Sequence, residues 1–218
     1  NSMGAKITGA GTSEIRITGV ESLKGCYTEV IPDRIEAGTY IIAGALVGNK
    51  LKIDNIIPEH IEMLILKLKE MGIPIKVGAD SVIVSKNPNL KPVSIKTQGY
   101  PGFATDLQQP ITTLLTQCNG TSTLEETIYE NRFKNVPYLN DMGANIEIIE
   151  RTIKVNGPTT LVGKNVEATD LRAGACLVLA GLLASGTTTI TNIEHVLRGY
   201  ENIVEKLDEV GADIKLIE

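Results

Sequence analysis

The sequence has no tryptophan, two phenylalanines and two histidines, and aromatic residues make up 4 % of its 218 positions. So few rings make a stacking platform for single-stranded nucleic acid improbable. A basic surplus is also missing: 21 Lys and Arg face 26 Asp and Glu, a net charge of -5. The electrostatic footprint of a nucleic-acid binder is therefore absent. His60 and His195 have no His or Cys at metal-ligand spacing, so no zinc site is expected. Neither histidine has an adjacent Ser or Cys, which argues against a nucleophilic triad. Cys26, Cys118 and Cys176 form no CxxC pair and no disulfide framework, which fits a reducing compartment. Cys118 and Cys176 lie in apolar helical stretches and read as core; Cys26 lies in a loop-like segment beside Gly25 and Tyr27. No apolar run reaches the ~18 residues of a membrane span. The opening residues show no signal-peptide pattern. Neither a Walker motif nor a GxGxxG fingerprint occurs.

What is present is a globular composition, 42 % hydrophobic and 22 % charged. That supports a sizeable core. A short unit recurs as Met3-Gly4-Ala5-Lys6-Ile7, Met71-Gly72-Ile73-Pro74-Ile75, Met142-Gly143-Ala144-Asn145-Ile146 and Val210-Gly211-Ala212-Asp213-Ile214. Its glycines are 68, 71 and 68 residues apart, and self-similarity at a near-constant period marks a repeat architecture. A periodic helix precedes the glycine, as in His60 to Glu70, where Ile61, Leu64, Ile65 and Leu68 form one stripe. The glycine then caps the helix with positive φ. An alternating hairpin follows, as in Ile73 to Val84, Lys6 to Thr18 and Asn145 to Val155.

A second helix starts in each unit after Pro32-Asp33-Arg34-Ile35, Ala104-Thr105-Asp106-Leu107 and Ala168-Thr169-Asp170-Leu171. The stretches Tyr40 to Leu46 and Ala175 to Leu183 are apolar on nearly all sides, so these helices are buried. Each unit thus reads buried helix, strand, amphipathic helix, hairpin, and three units fill Pro32 to Glu218. The predicted fold is α/β: an inside-out barrel of three repeats, with three buried central helices and sheets outside. The chain opens on the tail of such a unit, so we expect an excerpt of a longer repeat protein.

The starts of the buried helices should gather on one face, where unpaired N–H groups favour anions. Arg34, Arg132, Arg172 and Arg198 stand near helix starts, and arginine grips phosphate and carboxylate in a bidentate manner. Asp33, Asp106, Glu130 and Asp170 lie among them. Each aspartate reads either as a helix cap or as a functional carboxylate beside cations, and both readings stay open.

Together these segments resemble the bacterial UDP-N-acetylglucosamine enolpyruvyl transferases. The resemblance rests on Pro32 to Thr39, Pro101-Gly102-Phe103-Ala104-Thr105-Asp106-Leu107-Gln108-Gln109-Pro110, Glu130-Asn131-Arg132-Phe133, Ala168 to Ala175 and Arg198-Gly199-Tyr200-Glu201, and runs essentially end to end. It implies two inside-out α/β domains closing over a cleft. Residues 1–30 would be a terminal hairpin of the N-terminal half, which this chain lacks, and 31–218 a three-repeat enolpyruvyl transferase domain. The implied reaction moves the enolpyruvyl group of phosphoenolpyruvate to the 3-hydroxyl of UDP-N-acetylglucosamine and releases phosphate. The family performs it in the cytoplasm, as the first committed step of the peptidoglycan synthesis behind cell-wall growth, shape and division. It needs no metal or organic cofactor.

By the same resemblance, Asp106 binds the sugar hydroxyl and acts as base, and Ile128 contacts the nucleotide sugar. Arg132, Arg172 and Arg198 face phosphoenolpyruvate, Asp170 belongs to the same site, and Asp33 and Arg34 support it. The catalytic cysteine loop and a Lys-Asn pair belong to the N-terminal half, so this chain alone is expected to be inactive. Three positions depart from the family pattern: Ala104 replaces a common Pro, Leu197 the Asp before Arg-Gly-Tyr, and Tyr129 a frequent Phe. The alternatives are a shikimate-pathway enolpyruvyl transferase and a catalytically silent nucleotide-sugar-binding paralogue.

Overall fold

The four glycines of the repeated signature share one backbone state. Gly4, Gly72, Gly143 and Gly211 have φ of +97°, +86°, +108° and +95°, a region that L side chains avoid and that ends a helix or turn by reversing the chain. A computed structural model describes residues 1–12 and 14–217 of the chain. It divides into two compact units, Asn1–Pro32 and Asp33–Glu218. The first holds strands β1 (Lys6–Thr8) and β2 (Arg16–Thr18), paired antiparallel as an isolated hairpin. Beyond it, Leu23, Tyr27, Val30 and Ile31 are exposed.

The second unit runs α1 (Arg34–Val47), β3 (Leu51–Asp54), α2 (Glu62–Glu70), β4 (Ile75–Val77), β5 (Ser81–Val84), β6 (Ser94–Lys96), α3 (Gln108–Leu115) and β7 (Gly120–Glu125). It continues with α4 (Val136–Asp141), β8 (Ile146–Ile149), β9 (Thr152–Gly157), β10 (Asn165–Glu167), α5 (Leu171–Leu183), β11 (Thr189–Thr191), α6 (Glu194–Leu197) and α7 (Ile203–Glu209). Helices α1, α3 and α5 pack on one another at the centre. Three sheets surround them, in strand orders β3-β5-β4, β6-β7-β9-β8 and β10-β11. Helices lie inside and strands outside, but among the described residues the sheets stay separate and close no barrel.

The central helices are short of bulk where they meet their neighbours. A Cβ on Gly44 would stand 2.4 Å from Val84 Cγ1 and 3.2 Å from Leu51 Cδ2. Only glycine lets α1 settle this close to its own sheet, and the lost helix propensity is regained as packing. In α2, Ile61 at its entry and Leu64, Ile65 and Leu68 are all buried, so the helical period read from sequence is the packed face. The hairpins β4–β5 and β8–β9 form as predicted, both antiparallel.

Two features differ from the reading of the sequence. Strands β6 and β10 precede α3 and α5 and pair in parallel with β7 and β11, so α3 and α5, though not α1, are crossovers of βαβ units that begin with these two strands. Each is only three residues long with one buried side chain, too short to show alternation. The hairpin expected after Gly211 does not form: residues 212–217 contain no strand. Two strands and a turn need about ten residues, more than this segment offers. Among the described residues the third sheet has two strands.

Candidate active site

The three repeat-start aspartates fall into two roles. Asp33 caps α1: its carboxylate accepts from the backbone N–H of Ile35 at 2.7 Å and Glu36 at 3.3 Å. Asp170 caps α5 in the same way, accepting from Arg172 N–H at 3.0 Å and Ala173 N–H at 2.8 Å. Asp106 caps nothing. A 3-10 turn over Thr105–Leu107 leads into α3 instead, closed by Leu107 N–H donating to the Ala104 carbonyl at 3.0 Å. That extra turn leaves the Asp106 carboxylate free.

Two arginines take it up. Arg132 Nη2 donates to Asp106 Oδ1 at 2.6 Å, and Arg172 Nη2 donates to Oδ2 at 2.9 Å. The arginine side chains are 15 % and 14 % exposed and that of Asp106 36 %. The trio is thus partly withdrawn from water, and each contact is stronger than a surface pair. Burial alone would raise the Asp106 carboxyl, but Arg172 and then Arg132 outweigh it and hold it below the ordinary carboxylate range. Burial would likewise lower the Arg172 guanidinium, yet Tyr200 and Asp106 together raise it.

Each guanidinium is steadied by a hydroxyl on its other arm. Arg132 Nη1 donates to Thr105 Oγ1 at 2.9 Å, and the group lies 4.5 Å from the centroid of Tyr129. Arg172 Nη1 donates to the Tyr200 hydroxyl at 3.2 Å. Tyr200 is fully buried, and its hydroxyl is 2.9 Å from Thr39 Oγ1. Thr39 spends its proton on the Ile35 carbonyl at 2.9 Å, so Tyr200 donates to Thr39 and accepts from Arg172.

Asp106, Arg132, Arg172 and Arg198 line an open depression of ≈ 370 Å³, with Lys134 and Asp170 at its wall. Arg198 sits at the C-terminal end of α6 and is exposed. Among the described residues neither Arg198 nor Lys134 has an ion-pair partner. The lining thus sets four cations, Arg132, Lys134, Arg172 and Arg198, against three carboxylates: Asp106 held by two arginines, Asp170 committed to its helix cap, and Glu130. The other large depression, ≈ 580 Å³, shares Arg198 but is lined by Glu36, Glu201 and Glu205. Its charge suits no phosphate.

Of the residues singled out from sequence, Asp106, Arg132, Asp170, Arg172 and Arg198 come together here. Asp170 does so with its carboxylate committed to the cap. Arg34 stands apart, its guanidinium 5.7 Å from the Tyr100 ring centroid, and does not line the depression. Ile128 is 46 % exposed on the loop before Arg132 and also lies outside the lining. Thr105, Tyr200 and Glu126 were not singled out. Glu126 had a signal: it is in phase with Ser122 and Leu124, the buried face of β7. An acid on an inward position needs a polar reason to be there. Among the described residues no cluster of His, Cys, Asp or Glu could hold a metal ion, and no helix is long and apolar enough to cross a membrane.

Central helices within outer sheets, and a carboxylate clamped by arginines beside an anion-sized hollow, define the class. The family model for EPSP synthase (3-phosphoshikimate 1-carboxyvinyltransferase) matches residues 1–207, and the chain belongs to that family. Within it, the chain is 55 % identical over 214 residues to UDP-N-acetylglucosamine 1-carboxyvinyltransferase 2 of Geobacillus kaustophilus, covering 98 % of this chain and 50 % of that protein. It is 56 % identical over 218 residues to the protein of the same name from Streptococcus thermophilus, covering 100 % and 52 %. The chain spans about half the length of the curated relatives it matches. Among solved structures, the enolpyruvyl transferase NikO from Streptomyces tendae superposes with a TM-score of 0.89 at 33 % identity, over 98 % of this chain and 52 % of that one. EPSP synthase from Acinetobacter baumannii matches at TM-score 0.74 and 20 % identity, over 100 % and 54 %, a likeness of fold.

Proposed function

We propose that the chain supplies one wall of an enolpyruvyl transferase site, which moves the enolpyruvyl group of phosphoenolpyruvate to the 3-hydroxyl of UDP-N-acetylglucosamine. The observation that carries this reading is Asp106, a lone carboxylate between two guanidiniums beside a cation-lined hollow. The hollow accommodates a small polyanion, and the carboxylate accepts a proton. Asp106 takes the proton of the sugar hydroxyl, and the oxygen attacks C2 of phosphoenolpyruvate while an acid outside this chain protonates C3. Loss of that proton and cleavage of the C2–O bond to phosphate then yield the enolpyruvyl ether and inorganic phosphate. Arg132, Arg172 and Arg198 stabilise the charge carried by the donor and the leaving phosphate.

The ion pairs give the order of events a physical basis. With both arginines on Asp106 the carboxylate is a weak base. A bound phosphate competes for the same N–H groups, so Asp106 loses counter-charge and gains proton affinity when the donor is in place. The sugar nucleotide is favoured over shikimate 3-phosphate as acceptor by 55 % identity to the sugar enzymes against 20 % to the EPSP synthase structure. On this reading the hairpin of residues 1–30 belongs with a complementary N-terminal half, residues 31–218 form the transferase domain, and the reaction is the cytoplasmic entry to peptidoglycan. Ile128 acts at the nucleotide-sugar side, and Arg34 supports the site from outside the hollow.

The test is phosphate release and calorimetric binding. The chain alone is expected to bind phosphoenolpyruvate weakly and release no phosphate, because the acid-bearing wall is lacking. Mixed with the N-terminal half of the Geobacillus kaustophilus relative, it should turn over UDP-N-acetylglucosamine and not shikimate 3-phosphate. Full turnover by the chain alone, or preference for shikimate 3-phosphate, refutes the reading.

A further inference from the structure

Glu126 is 1 % exposed and makes no ion pair among the described residues. Its Oε1 accepts from Thr97 Oγ1 at 2.9 Å and from the backbone N–H groups of Ile128 at 2.8 Å and Tyr129 at 3.1 Å. Its Oε2 accepts from Thr105 Oγ1 at 2.8 Å. The direction of that last bond is fixed, because Thr105 already accepts from Arg132 Nη1 and its own proton must go elsewhere. Arg132, Thr105 and Glu126 thus form a one-way chain of donors ending on a buried carboxylate, and the other arm of the same guanidinium ends on Asp106.

We infer that Glu126 is a positioning residue: through Thr105 it sets the plane of the Arg132 guanidinium toward Asp106 and the anion hollow. The inference deepens the enolpyruvyl transferase reading and rests on it for the identity of the anion. Two observations support it independently. Glu126 also bonds the Ile128 and Tyr129 amides, so the same carboxylate anchors the loop that carries Arg132 and the Tyr129 ring beneath it. The tetrapeptide Ala-Thr-Asp-Leu recurs at 168–171. There the Thr169 hydroxyl is buried with no hydrogen-bond partner among the described residues, and Asp170 is a cap. The fold tolerates this threonine unbonded; only the copy facing a carboxylate also holds an arginine.

Chemistry makes the carboxylate hard to replace. All four groups around Glu126 are donors. A glutamine amide with its N–H toward the loop meets the Ile128 and Tyr129 amides donor to donor; turned the other way it reverses the bond to Thr105, whose proton then loses its acceptor.

The experiment uses the full chain with phosphoenolpyruvate as the probe, read by calorimetry, and the Asp106 carboxyl titration, read by carbon NMR. Thr105→Val cuts the chain without touching the loop bonds. It is expected to weaken phosphoenolpyruvate binding about tenfold, the effect of one charge-assisted hydrogen bond, and to move the Asp106 titration upward as Arg132 loosens. Thr105→Ser, which keeps the hydroxyl, should restore both to within about twofold. Glu126→Gln should act like Thr105→Val, and the double variant should bind no worse than Glu126→Gln alone, because the two residues act in series. If Glu126→Gln does not fold, the Val and Ser pair decides. Unchanged binding and titration in Thr105→Val overturns the inference, as does failure of Thr105→Ser to rescue. A wild-type chain that ignores phosphoenolpyruvate while Thr105→Val still shifts Asp106 removes the functional reading and leaves the positioning role standing.

Discussion

Replacing Asp106 by asparagine removes the only carboxylate among the described residues that is hydrogen-bonded to both Arg132 and Arg172, while keeping nearly the same shape. Two opposite effects follow. Each lost charge-assisted bond is worth about 1.5–3 kcal/mol when shielded. The carboxylate is more than a third open to water, and asparagine retains one acceptor oxygen, so the sum falls to about 2 kcal/mol of lost stability. The anion site should gain. A unit charge about 4 Å away contributes roughly 4 kcal/mol at an effective dielectric near 20. A third of that, after screening at the open side, strengthens inorganic phosphate binding about tenfold. The pH dependence has a definite sign. The folded Asp106 carboxyl lies below its unfolded value, so its contribution is complete above about pH 4 and disappears as pH falls through the folded value. The stability gap between wild type and Asp106→Asn should therefore narrow in acid. Urea denaturation across pH and calorimetry with phosphate make the check. A variant as stable as wild type that binds phosphate no better would refute the clamp described here.

Asp33→Ala should cost about 1 kcal/mol by loss of a helix cap, seen as a lower urea midpoint, with phosphate affinity unchanged because Asp33 lies outside the hollow. Gly44→Ala should destabilise by about 1–3 kcal/mol despite better helix propensity, since its Cβ would meet Val84 Cγ1 at 2.4 Å; a gain in melting temperature would contradict the packing. An aromatic disulfide reagent should label Cys26 rapidly and leave Cys118 and Cys176 unreacted until denaturant is added. Burial closes both to solvent and pushes the Cys176 thiol up to about 11.

The parts of the fold that were legible in the sequence are those with a period. The glycine signature, the stripe Ile61-Leu64-Ile65-Leu68 and the hairpins around Gly78 and Glu150 each repeat a local pattern that packing then uses. Ser94–Lys96 and Asn165–Glu167 carry one apolar residue each, and nothing local separates them from loop; their partners are supplied by strands 29 and 24 residues downstream. The arginines of the hollow were visible as residue types. Their convergence depends on how α3, α5 and the loop before Arg132 meet, which no spacing encodes. Arg34 is the first residue of its helix and Arg172 the second of its own, a one-residue offset that turns the side chain by about 100°, and Arg34 faces Tyr100 instead. Glu126 escaped notice because a single acid at the end of a strand resembles a solvated charge until the burial phase of β7 is known.

The tetrapeptide at 104–107 and its twin at 168–171 bear on protein engineering. Identical letters yield a carboxylate clamped by two arginines in one sister unit and a mechanical fastener in the other, so copying those four residues into a new scaffold transplants no clamp. A designer wishing to install or erase the acidic group must import its surroundings: an arginine from a distant loop, an acid beneath the threonine, and the tightened backbone turn that withholds the side chain from its own helix.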